Sequence, residues 1–167
     1  VLVSIAAAYI ASKFGNIMDF LQTIFSMINA PLFAVIFLGM FWKGTTGHAA
    51  FTGLLVGFTI AMLHHGLTIP YGSTTFFKGG WLGVVHVYPV EMAQNFWTAI
   101  FAFSTSTFMT VILSLVTKKV KSDEDLKGLV YSLTPHDKVY VKEWYNRPVA
   151  MASIVGIVCV ILSIIFW

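Results

Sequence analysis

The chain has 167 residues, of which 57% are hydrophobic and only 10% are charged, and its mean hydropathy is +0.83. Soluble domains carry about 25% charged residues, and a soluble chain this apolar would expose patches that aggregate. The composition therefore excludes an ordinary soluble domain and indicates a lipid bilayer as the solvent. The net charge of +3 is small and lies mostly in connections, which is typical of membrane orientation rather than nucleic-acid binding.

Uncharged runs divide the chain into predicted helices, since about 20 apolar residues cross the hydrocarbon core. The runs are too long for strands and do not alternate with a period of two. In chain order we predict a partial transmembrane helix at 1–13, a transmembrane helix with a polar stripe at 18–42, a transmembrane helix at 46–67, an extracellular loop at 68–91, a transmembrane helix at 92–117, a cytoplasmic loop at 118–147 and a C-terminal transmembrane helix at 148–167. Because Val1 already lies in an apolar segment, we expect the chain to be the C-terminal part of a longer protein.

The connection at 68–91 mixes turn-forming residues with aromatic ones. It contains Pro70 and several glycines, together with Trp81 and Tyr88. Glycine and proline favour turns, and Trp and Tyr favour the membrane–water interface. This composition predicts a loop with a short helix lying at the membrane surface.

Basic residues predict the orientation. Seven of the ten Lys and Arg residues lie in 118–147, so this loop is expected in the cytoplasm. Alternation then places Lys43 inside and both Lys13 and Lys78 outside, a total of eight inside against two outside. The prediction is a multi-pass protein of the cell (plasma) membrane whose C-terminal Trp167 lies outside the cytoplasm.

Polar residues in the helix at 18–42 form a stripe. Gln22, Ser26 and Asn29 are spaced i, i+4 and i+7, which puts them on one helix face. Amides facing lipid would leave donors and acceptors unsatisfied, so the stripe should face protein or water. Two interpretations stay open on spacing alone: hydrogen bonds between helices, or a solute pathway in which Gln22 binds a polar substrate.

Two further residues mark the same helix. Pro31 should bend or break it, and a break would free backbone carbonyls near a cavity, as transporters use. Asp19 is interpreted as an N-terminal cap or first-turn acid favoured by the helix dipole.

Small and hydroxyl residues in the next two spans indicate packing. Ala49, Gly53 and Gly57 recur at every fourth position, which lets two helices approach closely. The Ser and Thr residues of 92–117 are expected to bond to their own helix or to a neighbour.

The histidines do not predict a metal site. His64 and His65 are adjacent, so on a helix they point about 100° apart, and no cysteine or carboxylate cluster accompanies them. We interpret them as interfacial residues at a helix end. The sequence shows no catalytic triad pattern, phosphate loop or paired intramembrane carboxylates, so it does not indicate an enzyme.

Several motifs resemble the sodium/solute symporter family. Its pattern is matched by Asp19-Phe-Leu-Gln22 with Pro31, by Phe41-Trp42-Lys43 and by Gly47-x-Ala49-Ala50-Phe51-x-Gly53-x-x-x-Gly57. The setting of Gln22 is similar to the sodium/glucose cotransporter branch. Leu129-Val-Tyr-Ser-Leu-Thr-Pro135, Trp144-Tyr-x-Arg-Pro148 and Phe166-Trp167 are similar to bacterial members of that branch.

The resemblance implies an all-α integral membrane protein, a helical bundle forming the C-terminal part of a leucine-transporter-like inverted-repeat symporter. Full-length members have about fourteen helices, and this chain would hold the last two core helices and three peripheral ones. The sodium site is formed by earlier helices, so the resemblance implies no metal ligand and no bound cofactor in this fragment. Na⁺ would be the co-transported ion, and the lipid bilayer and the missing N-terminal helices would be partners.

The resemblance also implies roles for individual residues. Gln22 matches the glutamine that hydrogen-bonds sugar hydroxyls, so the stripe of its helix would face the solute. Met18 matches a position that is commonly aromatic and helps to close the outer gate. Phe25 stands where some sugar carriers have Thr, and Ser26 and Asn29 are possible site-lining residues.

The function implied is sodium-coupled symport of a glucose- or galactose-type sugar by alternating access. Alternatives are a sodium symporter for another solute, such as an inositol, amino acid or carboxylate, and a non-transporting membrane subunit or sensor on the same scaffold. The contacts made by the preceding helices would separate the first two, and an absent sodium site would indicate the third.

Overall fold

The structure, a computed structural model, describes residues 1–14, 17–118, 121–135 and 147–165. Its helices are α1 (Leu2–Ala11), α2 (Ile17–Phe41), α3 (Gly47–Leu67), α4 (Glu91–Val116) and α5 (Pro148–Ile165). By length and composition, α2 to α5 can each cross a membrane, which confirms the all-α membrane fold. The chain forms two compact units, Val1–Thr134 and Pro135–Trp167. The predicted loop residues at 119–120 and 136–146, and the C-terminal Trp167, lie outside the described residues.

Helices α3 and α4 form the close-packed centre of the first unit. On α3 the buried residues include Ala49, Gly53, Gly57 and Ala61, and on α4 every fourth residue is buried, namely Gln94, Thr98, Ala102, Ser106, Thr110 and Ser114. A Cβ atom on Gly57 would lie 2.9 Å from the Ala102 carbonyl oxygen. The small-residue ladder therefore brings the two backbones together, as the sequence predicted.

Helix α2 runs unbroken through Pro31, so of the two predicted outcomes, a bend or a break, the break does not occur. Pro31 has no N–H to donate within the helix, but it is buried, and its ring contacts α3 opposite Gly57. The Ser106 hydroxyl of α4 donates to the Pro31 carbonyl oxygen at 3.2 Å. Packing on both neighbours thus stabilises the helix at the position where its own hydrogen bonding is weakest. Asp19 lies in the first turn of α2, where the helix dipole favours an acid.

The connection after α3 contains strands instead of the predicted surface helix. Strand β1 (Thr68–Pro70) pairs in parallel with β2 (His86–Tyr88), in the register Thr68 to His86 and Pro70 to Tyr88. Between them, Gly79 has a φ of +113°, and a Cβ atom there would lie 2.7 Å from Gln94 Nε2. The chain folds back over the first turns of α4. Strand pairing satisfies the backbone N–H and C=O groups of a segment in which the composition predicted a short helix.

The opposite end of the first unit carries the segment after α4. Residues Ser122 and Asp125 cap each other, because Ser122 N and Oγ donate to Asp125 Oδ2 at 3.0 and 2.8 Å and Asp125 N donates to Ser122 Oγ at 3.2 Å. A short 3₁₀ turn, Tyr131–Leu133, follows, and the Tyr131 ring lies 5.8 Å from that of Phe41 at the end of α2. Segment 121–134 thus packs beneath the helix ends.

The second unit contains α5, whose described residues are exposed along almost its whole length. It is the most apolar of the four candidate spans, with a hydropathy of 2.6. Its Ser153 and Ser163 hydroxyls donate to carbonyl oxygens four residues earlier, at 2.8 Å. These bonds within α5 satisfy the two hydroxyls without a partner from another helix, as expected for a helix in lipid.

Candidate solute-binding site

A groove of about 330 Å³ lies between α2 and α4. Gln22, Phe25 and Ser26 line it from α2, and α4 contributes Met92, Asn95, Phe96 and Ala99. Its wall is mostly apolar and aromatic, with a few polar groups among the apolar ones. This combination is typical of small-molecule sites.

The structure brings part of the predicted site together. Gln22 is half-buried at the groove and Phe25 is exposed beside it. Ser26 is buried, and its hydroxyl donates to the Thr23 carbonyl oxygen at 2.8 Å, so its proton is used inside α2. Of the three, Gln22 has the amide that can both donate to and accept from a polyhydroxylated solute.

Two predicted residues lie away from the groove. Met18, one turn before Gln22, is exposed, and so is Asn29, two turns after it. Neither lines the groove between α2 and α4. In the described part of the chain, the stripe from Gln22 to Asn29 therefore does not face the same helix along its whole length: Gln22 and Ser26 lie at the groove beside α4, and Asn29 does not.

Asn95 is a residue of the candidate groove that the sequence analysis did not single out. It is buried and lines the groove opposite Gln22, and its amide lies 3.1 Å from the Thr23 hydroxyl. That hydroxyl also donates to the Asp19 carbonyl oxygen at 2.9 Å, and one proton cannot serve both acceptors. The two bonds are compatible if the Asn95 NH₂ group is the one that faces Thr23.

The other end of the Asn95 amide then has no partner among the described residues. An unsatisfied amide group that is buried in this way is costly to stability. The signal that could have found Asn95 is the one that identified Gln22, an amide within an uncharged run.

A second polar cluster lies where α3 ends. His64 Nδ1 is 2.8 Å from Thr98 Oγ1, and His64 Nε2 is 3.1 Å from the Tyr88 hydroxyl. The Thr98 hydroxyl donates to the Gln94 carbonyl oxygen at 2.8 Å, so its oxygen accepts from His64 Nδ1–H. His64 Nε2 then accepts from the Tyr88 hydroxyl, whose pKa is raised by burial and which keeps its proton.

Both histidines lie in the last turn of α3, the helix end that the sequence predicted, and both pack against protein neighbours. His65 is buried, and His64 is held between two helices and β2. Gln94 completes the cluster, because its Nε2 donates to the Thr68 carbonyl oxygen at 2.9 Å and lies 3.0 Å from Thr68 Oγ1. Among the described residues there is no group of three or more His, Cys, Asp or Glu that could hold a metal ion.

Comparison with known proteins finds a family model and several similar proteins. Residues 1–57 match the model of the Sodium:solute symporter family. Sodium/glucose cotransporter 1 of Oryctolagus cuniculus is 29% identical over 136 residues, which cover 79% of this chain and 20% of that protein. Sodium/glucose cotransporter 1 of Ovis aries is 27% identical over 137 residues, 80% of this chain and 20% of that protein.

An uncharacterized symporter of Cupriavidus necator is 32% identical over 85 residues, 49% of this chain and 12% of that protein. No solved structure matches. The chain spans about a fifth of the length of the cotransporters it matches. These relatives are named as cotransporters and a symporter, the class of protein that the sequence motifs resemble. The chain is therefore similar to the sodium:solute symporter family over residues 1–57, and to a sodium/glucose cotransporter over 79% of its length.

Proposed function

We propose that the protein containing this chain is a sodium-coupled symporter for a sugar of the glucose or galactose type, working by alternating access. The observation that carries the proposal is the half-buried amide of Gln22 at the aromatic-lined groove, facing α4. The similarity to proteins named sodium/glucose cotransporters supports the choice of a sugar.

The groove residues suit a sugar chemically. A sugar hydroxyl both donates and accepts, and so does the Gln22 amide, so one side chain can make directional bonds to neighbouring hydroxyls. Phe25 and Phe96 line the groove beside it and offer apolar surface to the C–H face of the ring. Asn95, which is buried, lines the groove from α4. Met18, one turn towards the start of α2, would cover the site as part of the outer gate.

Coupling follows from linked binding. If Na⁺ and the sugar both stabilise the occluded state, each raises the affinity for the other, and the inward Na⁺ gradient drives sugar uptake. In this proposal Na⁺ is a co-transported substrate, its ligands lie on helices outside this chain, and the chain itself holds no cofactor. The bilayer and those helices are its partners.

Uptake by the whole protein in proteoliposomes tests the proposal. We expect uptake of labelled glucose or galactose that depends on a Na⁺ gradient, and an apparent KM raised at least about tenfold in Gln22→Ala, because buried sugar hydroxyls would lose their partner. Ser104→Ala is the control, since it removes a hydroxyl from an exposed position of α4 away from the groove.

The outcomes separate the alternatives. Gradient-driven uptake with an unchanged KM in Gln22→Ala would remove the assigned role of Gln22 while keeping the transport. Uptake of neither sugar, with gradient-driven uptake of an inositol, amino acid or carboxylate, would replace the sugar by that solute. No Na⁺-dependent uptake of any of them would favour a subunit or sensor.

We also propose the plasma membrane as the location, with the loop after α4 in the cytoplasm and the C-terminus outside. Contacts within the first unit show which connections lie at the same end of its helices. Lys43 Nζ lies 3.4 Å from Asp123 Oδ2, so the α2–α3 turn and the segment after α4 share one end. At the other end, Lys78 Nζ lies 5.9 Å from the centre of the Phe14 ring.

A further inference from the structure

A second cavity, of about 410 Å³, lies at the end of the first unit that carries the basic residues. It is formed where α2 has ended, α3 begins and α4 has ended, and its lining includes Lys43, His48, Lys118, Lys121 and Leu126. Lys43 follows Gln22 by 21 residues, which places the cavity about 30 Å from the groove along α2. The cavity is therefore separate from the candidate solute site.

The charge of this cavity is positive. Lys118 and Lys121 have no ion-pair partner among the described residues. Lys43 pairs with Asp123 at 3.4 Å, but the side chains are 52% and 55% exposed, and an exposed pair of this kind is weak. The Asp125 carboxylate accepts two hydrogen bonds from Ser122, which lower its pKa, and the nearby charge of Lys121 lowers it further.

The backbone at the start of α3 adds to the positive charge of the cavity. Gly47 and His48, the first two residues of α3, line the cavity. The first N–H groups of a helix have no partner inside the helix, and together they carry a partial positive charge. The Thr46 hydroxyl accepts from the N–H group of Ala49 at 3.4 Å, in the same first turn. Three lysines and a helix start thus converge on one concave space.

The position of the cavity indicates the kind of anion. Since α2, α3 and α4 are candidate membrane spans, their ends lie at the level of the lipid headgroups. Leu126 and the methylene stems of the lysines offer apolar surface next to the charges. Basic pockets between membrane helices are suited to phosphate-bearing headgroups.

We infer that this cavity binds a phosphate-bearing anion, whose source is either an anionic phospholipid headgroup or soluble phosphate. The phosphate oxygens pair with Lys118 and Lys121, and Lys43 exchanges its exposed carboxylate partner for the stronger phosphate charge. The site ties together the turn before α3 and the segment after α4. It does not depend on which solute the protein carries.

The test measures binding to the whole protein in nanodiscs. One set contains phosphatidylcholine alone, and the other contains phosphatidylcholine and phosphatidylglycerol at about 7:3. Retained lipid is counted by native mass spectrometry, the melting temperature is recorded in each disc, and a separate titration adds inorganic phosphate. The variants are Lys118→Gln with Lys121→Gln, and the control Lys127→Gln, which removes one positive charge from the same region of the chain outside the cavity.

We expect phosphatidylglycerol to raise the melting temperature of the wild type and of Lys127→Gln, and the double variant to bind it about 30-fold more weakly, at about fivefold per lysine. Saturable binding of inorganic phosphate with the same loss in the double variant would identify soluble phosphate as the source. An equal loss per removed charge in the double variant and the control would overturn the site, because diffuse surface charge would then explain the binding, and so would no loss in either.

Discussion

At the scale of single residues, polar side chains inside apolar helices are satisfied by specific partners. Thr98 shows this most clearly: it is fully buried on α4, donates to the Gln94 carbonyl oxygen and accepts from His64. With Tyr88 bound to the other ring nitrogen, the order of donors specifies one neutral tautomer of His64. The cluster therefore joins α3, α4 and β2 by hydrogen bonds whose directions are mutually consistent.

Replacing this threonine tests the cluster. Thr98→Val keeps the shape but leaves His64 Nδ1–H without an acceptor, so we expect a loss of about 1–2 kcal/mol in stability. Thr59→Val is the matched control, because the Thr59 hydroxyl is exposed and donates only to its own helix, to Leu55 O at 2.8 Å. Thermal unfolding of the purified protein in detergent measures both. Equal melting temperatures for the two variants would show that the cluster adds no stability.

At the scale of elements, the contact between α3 and α4 depends on the absence of side chains. A Cβ atom on Gly53 would collide with Thr110 Oγ1, and one on Gly57 would lie 2.7 Å from Pro31 Cβ and 2.8 Å from Ser106 Cβ. Without a hydrophobic force between helices in lipid, close van der Waals packing is what holds them together. The same packing covers Pro31 and keeps α2 continuous.

Alanine substitution separates packing from helix propensity. Gly57→Ala should push three helices apart and destabilise the protein by about 1–3 kcal/mol. Gly39→Ala on α2 makes the same change where nothing lies within 4 Å of the new methyl group, so it should be neutral or stabilise by up to about 1 kcal/mol. Opposite shifts in melting temperature are the expected result. A Gly57→Ala protein as stable as the wild type would contradict the close packing.

At the scale of the whole molecule, the ends of the first unit differ in charge and contacts. One end has Lys43 beside Asp123 and the basic cavity. At the other end Lys78 Nζ bonds to Glu91 Oε2 at 3.0 Å, with both side chains largely buried. Positive charge favours the cytoplasmic side, so this asymmetry, together with the alternation of helices, predicts the orientation in the membrane.

Cysteine labelling tests that orientation. In the whole protein, with Cys159 and other reactive cysteines replaced by Ser, we introduce Lys127→Cys or Thr74→Cys, both at exposed positions. A membrane-impermeant maleimide added to intact cells should label the cysteine introduced at 74 and spare the one at 127. In inside-out vesicles the pattern should reverse. Labelling of the cysteine at 127 in intact cells would show that the topology is the reverse of the one proposed.

Much was determined by the sequence by itself. Length and apolar content specify membrane helices, because about 20 uncharged residues can satisfy their own backbone in lipid. The spacing of Ala49, Gly53 and Gly57 specifies a close helix contact, and the amide of Gln22 within an apolar run marks a candidate site. These are local properties, readable from composition and period.

Other features were decided only by the tertiary structure. Whether Pro31 breaks α2 depends on what packs against it, and α3 and α4 keep the helix whole. The pairing of β1 with β2 joins residues 18 positions apart, and the roles of Asn95 and His64 depend on neighbours that lie far away in sequence. Each of these outcomes depends on which surfaces meet, and a pattern along one chain does not contain that information.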